Sequence, residues 1–142
     1  MKLKYNKKLI NKIVRNGDIL AVALSDSNKF KKIRPLAGRR FNINCLFHQD
    51  RHPSMMIDCK NNKYYCLSEK CLKKGDIISF VMQMYDLDFL SAVEVLAYAF
   101  DVELPEKKLK CNIYVLGDEI KKSYESEQYK QLILLSDNKK NN

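Results

Sequence analysis

The stretch that decides the fold is CLFHQDRHPSMMIDCKNNKYYCLSEKC, residues 45–71. It contains two close pairs of metal-ligating side chains, Cys45-x2-His48 and Cys66-x4-Cys71, separated by seventeen residues. A structural zinc ion takes four tetrahedral ligands from thiolates and imidazoles, and two such pairs on separate tight loops supply them. The sequence therefore predicts one structural Zn²⁺ held by Cys45, His48, Cys66 and Cys71, with no position left open for activating water.

The remaining cysteines and the second histidine fit this site less well. Cys59 is the one substitute ligand that the spacing allows, Cys111 has no partner at ligand spacing, and His52 is held in a bend by Pro53. We expect a contact role for His52 rather than ligation. Buried free thiols are the alternative interpretation, because the x4 gap is wider than the common x2 gap. An odd total of five cysteines favours a metal over a disulfide framework.

Short strands are predicted on both sides of the ligand pairs. From Asn28 onward, apolar residues alternate with Lys, Arg and Asn as far as Ile43, which reads as extended chain interrupted by Pro35 and by a turn at Gly38. Residues 55–58 and 63–66 are two further short strands that form a hairpin. Asn61-Asn62 is its predicted turn, since Asn tolerates positive φ.

Helices are predicted before and after these strands. Residues 3–15 have helical spacing, and the cap residues Asp18, Asp76 and Asp88 start further helices. Beyond Pro105 we expect a strand over residues 112–116, a charged helix over 119–135 and disorder from 136. The predicted fold is α+β, a small antiparallel zinc-ribbon sheet flanked by helices, with residues 1–105 as one domain and 106–142 as an appendage.

The charge is polarised along the chain. The net charge is +9 over 142 residues, but residues 1–40 carry a net +10 and residues 79–105 a net −5. This suits binding of a polyanion on one side, although a lysine-rich surface also follows from an AT-rich genome. No apolar run is long enough to span a membrane and no signal peptide is recognisable, so we expect a cytoplasmic protein without a membrane partner.

The ligand pairs lie in a longer run that resembles a known family. Cys45-Leu-Phe-His48, followed by Asp50-Arg51, Pro53-Ser54 and a sulfur side chain, is similar to the opening of the CHC2 zinc finger of bacterial DnaG-type DNA primases. That family has Cys-Pro-Phe-His, an acidic and a basic residue, then Thr-Pro-Ser-Phe. The likeness continues through Tyr64-Tyr65-Cys66 and the run from Gly75 to Phe80, and it ends at Leu104-Pro105. Leu46, His52 and Met55 depart from the pattern, as do the two extra residues before Cys71.

The resemblance implies a module that binds the single-stranded template for primer synthesis in DNA replication. Primer synthesis itself belongs to a TOPRIM catalytic domain that residues 106–142 are too few to hold. We therefore expect no catalytic residues and a TOPRIM primase/polymerase or a helicase as partner in trans, in a phage or plasmid setting. A duplex-DNA-binding regulator and a replisome interaction adaptor of a mobile element remain alternatives.

Cationic and aromatic side chains near the predicted strands are the candidate contacts for single-stranded DNA, because such strands are bound through phosphates and stacked bases. Alternation along a strand places Lys63 and Tyr65 on one face and Tyr64 and Cys66 on the other. We expect Tyr65 to be exposed and Tyr64 to pack towards the metal. The candidate contacts are Arg34, Arg39, Arg40, Arg51, Lys63, Tyr64 and Tyr65.

Overall fold

A computed structural model describes residues 4–26, 33–45, 47, 53–69, 71–105 and 108–139. These residues form an α+β fold, as predicted. No helix among them is long and apolar enough to cross a membrane. The elements in chain order are α1 (Lys7–Asn16), α2 (Ile19–Leu24), β1 (Ile33–Leu36), β2 (Arg40–Ile43), β3 (Met55–Asp58), β4 (Lys63–Cys66), β5 (Lys74–Asp76), α3 (Ile77–Tyr85), α4 (Phe89–Ala99), α5 (Cys111–Tyr124) and α6 (Glu127–Asp137).

The five strands form one antiparallel meander in the order β1-β2-β3-β4-β5. The predicted hairpin strands are confirmed as β3 and β4, and the described part of the predicted extended chain forms β1 and β2, whereas β5 was not anticipated. The expected interruption at Pro35 was wrong: Pro35 lies within β1, an edge strand, where a missing N–H is tolerated. One face of the sheet is apolar and packs against the helices; its fully buried members are Phe41, Ile43, Met55, Ile57 and Tyr64.

The β3–β4 turn is fixed by Asn62, which has a φ of 51°. Its Oδ1 accepts a hydrogen bond from the Ile19 N–H at 3.0 Å, and its Nδ2 donates to the carbonyls of Val14 at 2.6 Å and Gly17 at 2.7 Å. The predicted turn is thus confirmed. Its side chain also ties the α1–α2 junction to the sheet.

The predicted caps are confirmed for three helices. The side chain of Asp18 accepts from the N–H groups of Leu20 and Ala21, that of Asp76 from Ser79, and that of Asp88 from Ser91. These hydrogen bonds satisfy donors that the first turn of a helix leaves free.

The predictions for the C-terminal segment were wrong in three respects. Residues 112–116 belong to α5 rather than to a strand, and residues 119–135 are divided between two helices because Ser126 caps α6. Ser136, expected to be disordered, is fully buried at the end of α6. Residues 140–142 lie outside the described residues.

Both C-terminal helices pack on the rest of the fold. A Cβ at Gly117 of α5 would lie 2.3 Å from the ring of Tyr98 in α4. Helices α4 and α5 therefore approach each other more closely than any residue but glycine would allow. In α6 the Ser136 hydroxyl donates to the Leu36 carbonyl and accepts from the Arg39 N–H at 2.9 Å. The predicted domain boundary at residue 105 stays a prediction.

Candidate metal centre and nucleic-acid interface

Three cysteine sulfurs meet at one end of the sheet. Cys45 follows β2, Cys66 ends β4 and Cys71 follows in the next turn, and their Sγ atoms lie within 4.8 Å of one another. The Cys45 and Cys71 sulfurs are 3.7 Å apart. Two thiolates on a tetrahedral zinc ion, each at ~2.3 Å from the metal, are ~3.8 Å apart. The sulfurs therefore fit zinc in both chemistry and spacing.

The fourth predicted ligand, His48, lies outside the described residues, and so does the candidate contact Arg51. Cys59 is not part of the sulfur cluster among the described residues; its thiol lies 3.9 Å from Asp18 Oδ1. Cys111 is exposed at the start of α5. Neither is placed to replace Cys71 in the described structure.

A tight turn accommodates the long loop between Cys66 and Cys71. The Ser68 carbonyl accepts hydrogen bonds from both the Cys71 and the Leu72 N–H, each at 3.0 Å, and Leu72 has a φ of 51°. The Cys66 N–H donates to the Lys73 carbonyl at 2.8 Å, which closes the loop. The two additional residues are thus taken up in this turn, and the Cys71 sulfur still returns to Cys45.

The thiols differ in how readily they lose a proton. Burial raises the pKa of Cys45 to about 12, although the Phe47 N–H donates to its sulfur at 3.3 Å. Burial also disfavours the Cys66 thiolate, but hydrogen bonds from the Ser54 hydroxyl and the Ser68 N–H outweigh it and lower the pKa of Cys66. Without a cation Cys45 therefore keeps its proton at neutral pH. Uptake of a metal must release that proton.

An aromatic cluster supports the metal end from inside. The Phe47 ring packs edge-on against Tyr64 at 5.7 Å and Phe80 at 5.9 Å between centroids. The Tyr64 hydroxyl is 2.8 Å from the Ser79 hydroxyl. A Cβ at Gly75 would lie 2.8 Å from Ser79 Oγ, so a side chain there would displace this contact.

The two adjacent tyrosines face opposite sides of the sheet, as their alternation predicts. Tyr65 is 39% exposed and Tyr64 is 1% exposed. The Tyr64 ring is enclosed by the aromatic cluster, and no face of it is available for stacking on a base. This corrects the sequence-based contact set, from which Tyr64 is removed.

A row of side chains crosses the outer face of all five strands. Strand register aligns Arg34, Asn42, Met56, Tyr65 and Lys74 as successive partners, and we call them the cross-sheet row. Neighbouring strands are ~4.8 Å apart, so the row extends about 19 Å. It has a cation at each end and an exposed aromatic ring between them.

A second outer row runs parallel to the first and mixes charges. It aligns Arg40, Asp58, Lys63 and Asp76. Both carboxylates are occupied by backbone donors, since Asp58 accepts from the N–H groups of the β3–β4 turn and Asp76 caps α3. Asn42, Met56 and Lys74 were not among the contacts predicted from the sequence, since only a prediction of β5 would have placed Lys74 beside Tyr65.

Arg39 is placed differently from the other candidate cations. It lies in the β1–β2 turn with a φ of 55°, and its Nε and Nη2 each donate to the Asp137 carboxylate at 3.0 Å. The hydrogen bond from Arg39 lowers the pKa of Asp137. Arg39 thus joins α6 to the turn, whereas Arg34, Arg40 and Lys63 lie on exposed strand positions.

Comparison with known proteins finds one zinc-finger family and several DNA primases. The family model described as the CHC2 zinc finger, a DnaG-type zinc ribbon, matches residues 5–112. The DNA primase of Haemophilus influenzae is 30% identical in an alignment 140 residues long. This alignment covers 89% of this chain and 22% of the primase. The DNA primase of Pasteurella multocida is 29% identical, with 89% and 23% covered, and that of Helicobacter pylori 31% identical, with 72% and 17% covered. The chain therefore spans less than a quarter of these relatives.

Proposed function

The chain belongs to the CHC2 zinc finger family, and on this premise we propose that it is a primase module that binds single-stranded DNA. It recognises the template for RNA primer synthesis, while a separate catalytic subunit, of TOPRIM type, forms the phosphodiester bonds. The relatives are DNA primases, and the chain matches only a small part of each. The partner in trans is this catalytic subunit or a helicase.

The cross-sheet row is the observation that carries the proposal. Single strands are bound by cations along the phosphates and by rings beneath the bases, and Tyr65 lies between Arg34 and Lys74 in that arrangement. Arg40 and Lys63 of the second row add positive charge at the same face. The proposed contacts on the described strands are Arg34, Arg40, Lys63, Tyr65 and Lys74. Arg39 and Arg51 stay proposed contacts on the basis of the sequence.

We propose that one structural zinc ion holds this face in shape, bound by Cys45, His48, Cys66 and Cys71. Cys66 directly follows Tyr65 in β4, while Cys45 follows β2. A metal joining them fixes two strands of the sheet relative to each other. With four protein ligands the ion has no open position for substrate, so its part is structural.

Catalysis by the chain alone is not part of the proposal. Two of the carboxylates that could suggest a catalytic site are used elsewhere: Asp88 caps α4, and Glu94 accepts from the Tyr5 hydroxyl at 2.8 Å. Asp86 ends α3 in a left-handed conformation. Purified chain is therefore expected to make no primers from nucleotides.

Binding of a fluorescent oligonucleotide to the zinc-loaded chain tests the proposal. Replacing one stacking ring costs about 1–3 kcal/mol, so Tyr65→Ala should weaken single-strand binding about 5- to 150-fold. Tyr124→Ala is the matched control, because Tyr124 is an equally exposed tyrosine on α5. Lys74→Ala should reduce the slope of log affinity against log salt by roughly 0.7. A tighter complex with duplex of the same sequence, or equal effects of both tyrosine variants, would overturn the proposal.

A further inference from the structure

We propose that a groove beside α1 binds a short acidic segment of a partner protein, independently of the proposed DNA-binding face. We call it the α1 groove. It lies between α1 and the chain after α4, and its lining includes Lys8, Leu9, Lys12, Arg15, Glu103 and Pro105.

The side of the groove that α1 forms carries only positive charges. Helix α1 contains four basic residues and no acidic residue. Within the described residues Lys8, Lys12 and Arg15 form no ion pair, whereas Lys4, just before the helix, lies 3.9 Å from Glu94. The three cations follow an i, i+4, i+7 pattern, so they share one side of the helix over about 10 Å.

This pattern is unfavourable for the isolated helix. Lys8 and Lys12 are like charges at i, i+4, and Lys12 and Arg15 at i, i+3, both of which destabilise a helix. Lys7 and Lys8 also lie at the positive end of the helix dipole. A helix face that served only solubility would be more stable with alternating Glu and Lys, because opposite charges at i, i+4 attract each other. An anionic partner removes these repulsions, which gives the one-signed face a physical reason.

The chemistry of the groove favours a peptide over a nucleic acid. Half-buried Leu9 and exposed Pro105 provide the apolar part of the lining, whereas Leu104 is buried, and none of the described lining residues is aromatic. Bases would find no ring to stack on, in contrast to Tyr65 on the sheet. Glu103 also lines the groove, where its carboxylate would repel a uniformly charged phosphate chain but can accept a hydrogen bond from a peptide N–H. A segment in which carboxylates alternate with aliphatic side chains satisfies all of these features.

Fluorescence anisotropy with the zinc-loaded full chain tests this inference. The probe is a labelled 15-residue helical peptide with Glu at i, i+4 and i+7 and Leu between them, and its counterpart has Gln for every Glu. We expect the acidic peptide to bind at least tenfold more tightly at low salt, and the preference to shrink as salt screens the charges. The double variant Lys12→Glu, Arg15→Glu should abolish the preference.

Two control variants separate this site from the DNA-binding face. Lys130→Glu, an exposed cation on α6, should leave the peptide preference intact, and Tyr65→Ala should do so as well. Equal binding of both peptides to the unmodified chain would overturn the inference. So would a loss of oligonucleotide affinity in the double variant as large as that of Lys74→Ala, because the groove would then be a nucleic-acid surface. Self-association of the chain that the double variant removes would assign the groove to a second copy, and would also overturn it.

Discussion

The two ends of the sheet are held together by different chemistry. At one end Cys45, Cys66 and Cys71 bring three sulfurs within 4.8 Å of one another. At the other end, where β3 turns into β4, the Asn62 side chain makes three hydrogen bonds to the backbone at the α1–α2 junction. The turn end is complete without any ligand. At the cysteine end the three sulfurs are proposed ligands of a zinc ion, which would replace the thiol protons.

This difference shows how a small fold divides its stability between core and metal. At the turn end Asp18 also accepts a hydrogen bond from the Tyr129 hydroxyl of α6. The buried core extends along the sheet as far as Cys45 and Cys66. The cysteine end has loops on either side of its sulfurs, and binding of structural zinc supplies folding free energy directly. We therefore expect the two ends to respond differently to the same kind of change.

The largest effect is expected from Cys71→Ser at the cysteine end. Loss of this ligand should remove most of the metal-binding free energy, which is of the order of 10–16 kcal/mol in small zinc modules. Zinc per chain, measured by mass spectrometry, should fall from one to near zero. Amide hydrogen exchange should accelerate at Cys66 and Leu67, while Ile19 at the turn end stays protected.

Cys111→Ser is the matched control for that experiment, since Cys111 is exposed on α5 and far in sequence from the cluster. It should retain one zinc ion and unchanged exchange. Full zinc retention in Cys71→Ser would show that another residue completes the site, and uniform loss of protection would show that the two ends fold as one unit.

A smaller effect is expected from Asn62→Ala at the turn end. The substitution removes three hydrogen bonds and places Ala at a φ of 51°, so it should lower the free energy of unfolding by about 3–5 kcal/mol. Urea denaturation of the zinc-loaded chain measures this. Zinc content should be unchanged, because no ligand is altered.

Asn61→Ala provides the comparison for Asn62. Asn61 is exposed and its side chain donates only to Asp58, at 2.8 Å, so its loss should cost less than about 1 kcal/mol. Equal destabilisation by the two variants would mean that the turn conformation, not the link to the helices, determines the stability of this end.

The smallest effect is a pH dependence at the turn end. Burial raises the pKa of Asp18 despite the hydrogen bonds that its carboxylate accepts from Tyr129, Ala21 and Leu20. The folded chain thus holds this proton more tightly than the unfolded chain. The contribution of Asp18 to stability should therefore decrease as the pH rises from the ordinary aspartate pKa of 3.8 through the raised one, and then level off.

Asp18→Asn isolates this contribution, because Asn also caps helices but does not titrate. The difference in urea midpoint between the unmodified chain and the variant should shift against the unmodified chain as the pH increases from 4 to 8. Comparison at equal pH cancels any common loss of zinc in acid. A shift in the opposite sense would mean that hydrogen bonding, not burial, dominates the environment of Asp18.

Features with a local cause were predictable from the sequence. Alternation around Cys66 placed Tyr64 inside and Tyr65 outside, and the aspartates at helix starts bind N–H groups two or three residues away. The meeting of Cys45, Cys66 and Cys71 followed from paired spacing on two loops. Each of these depends on residues close to one another in sequence or within one hairpin.

Features that depend on contacts between residues far apart in the sequence could not be predicted from it. Residues 112–116 contain Ile and Val in a pattern that suits a strand, yet packing of Gly117 against Tyr98 of α4 makes them helical. Strand β5 is three residues long with Gly75 at its centre, so it has little strand propensity and depends on pairing with β4. Ser136 is buried because the β1–β2 turn, a hundred residues earlier, supplies its partners.

The covered edge of β1 has a consequence for many copies of the chain at once. An edge strand with free N–H and C=O groups recruits strands from neighbouring molecules, but Pro35 has no N–H and Ser136 of α6 binds the Leu36 carbonyl. Molecules gathered side by side along one polyanion are at a high local concentration, at which open edges fuse into aggregates. With this edge closed, copies bound side by side as the proposed function would place them are not expected to join their sheets through β1.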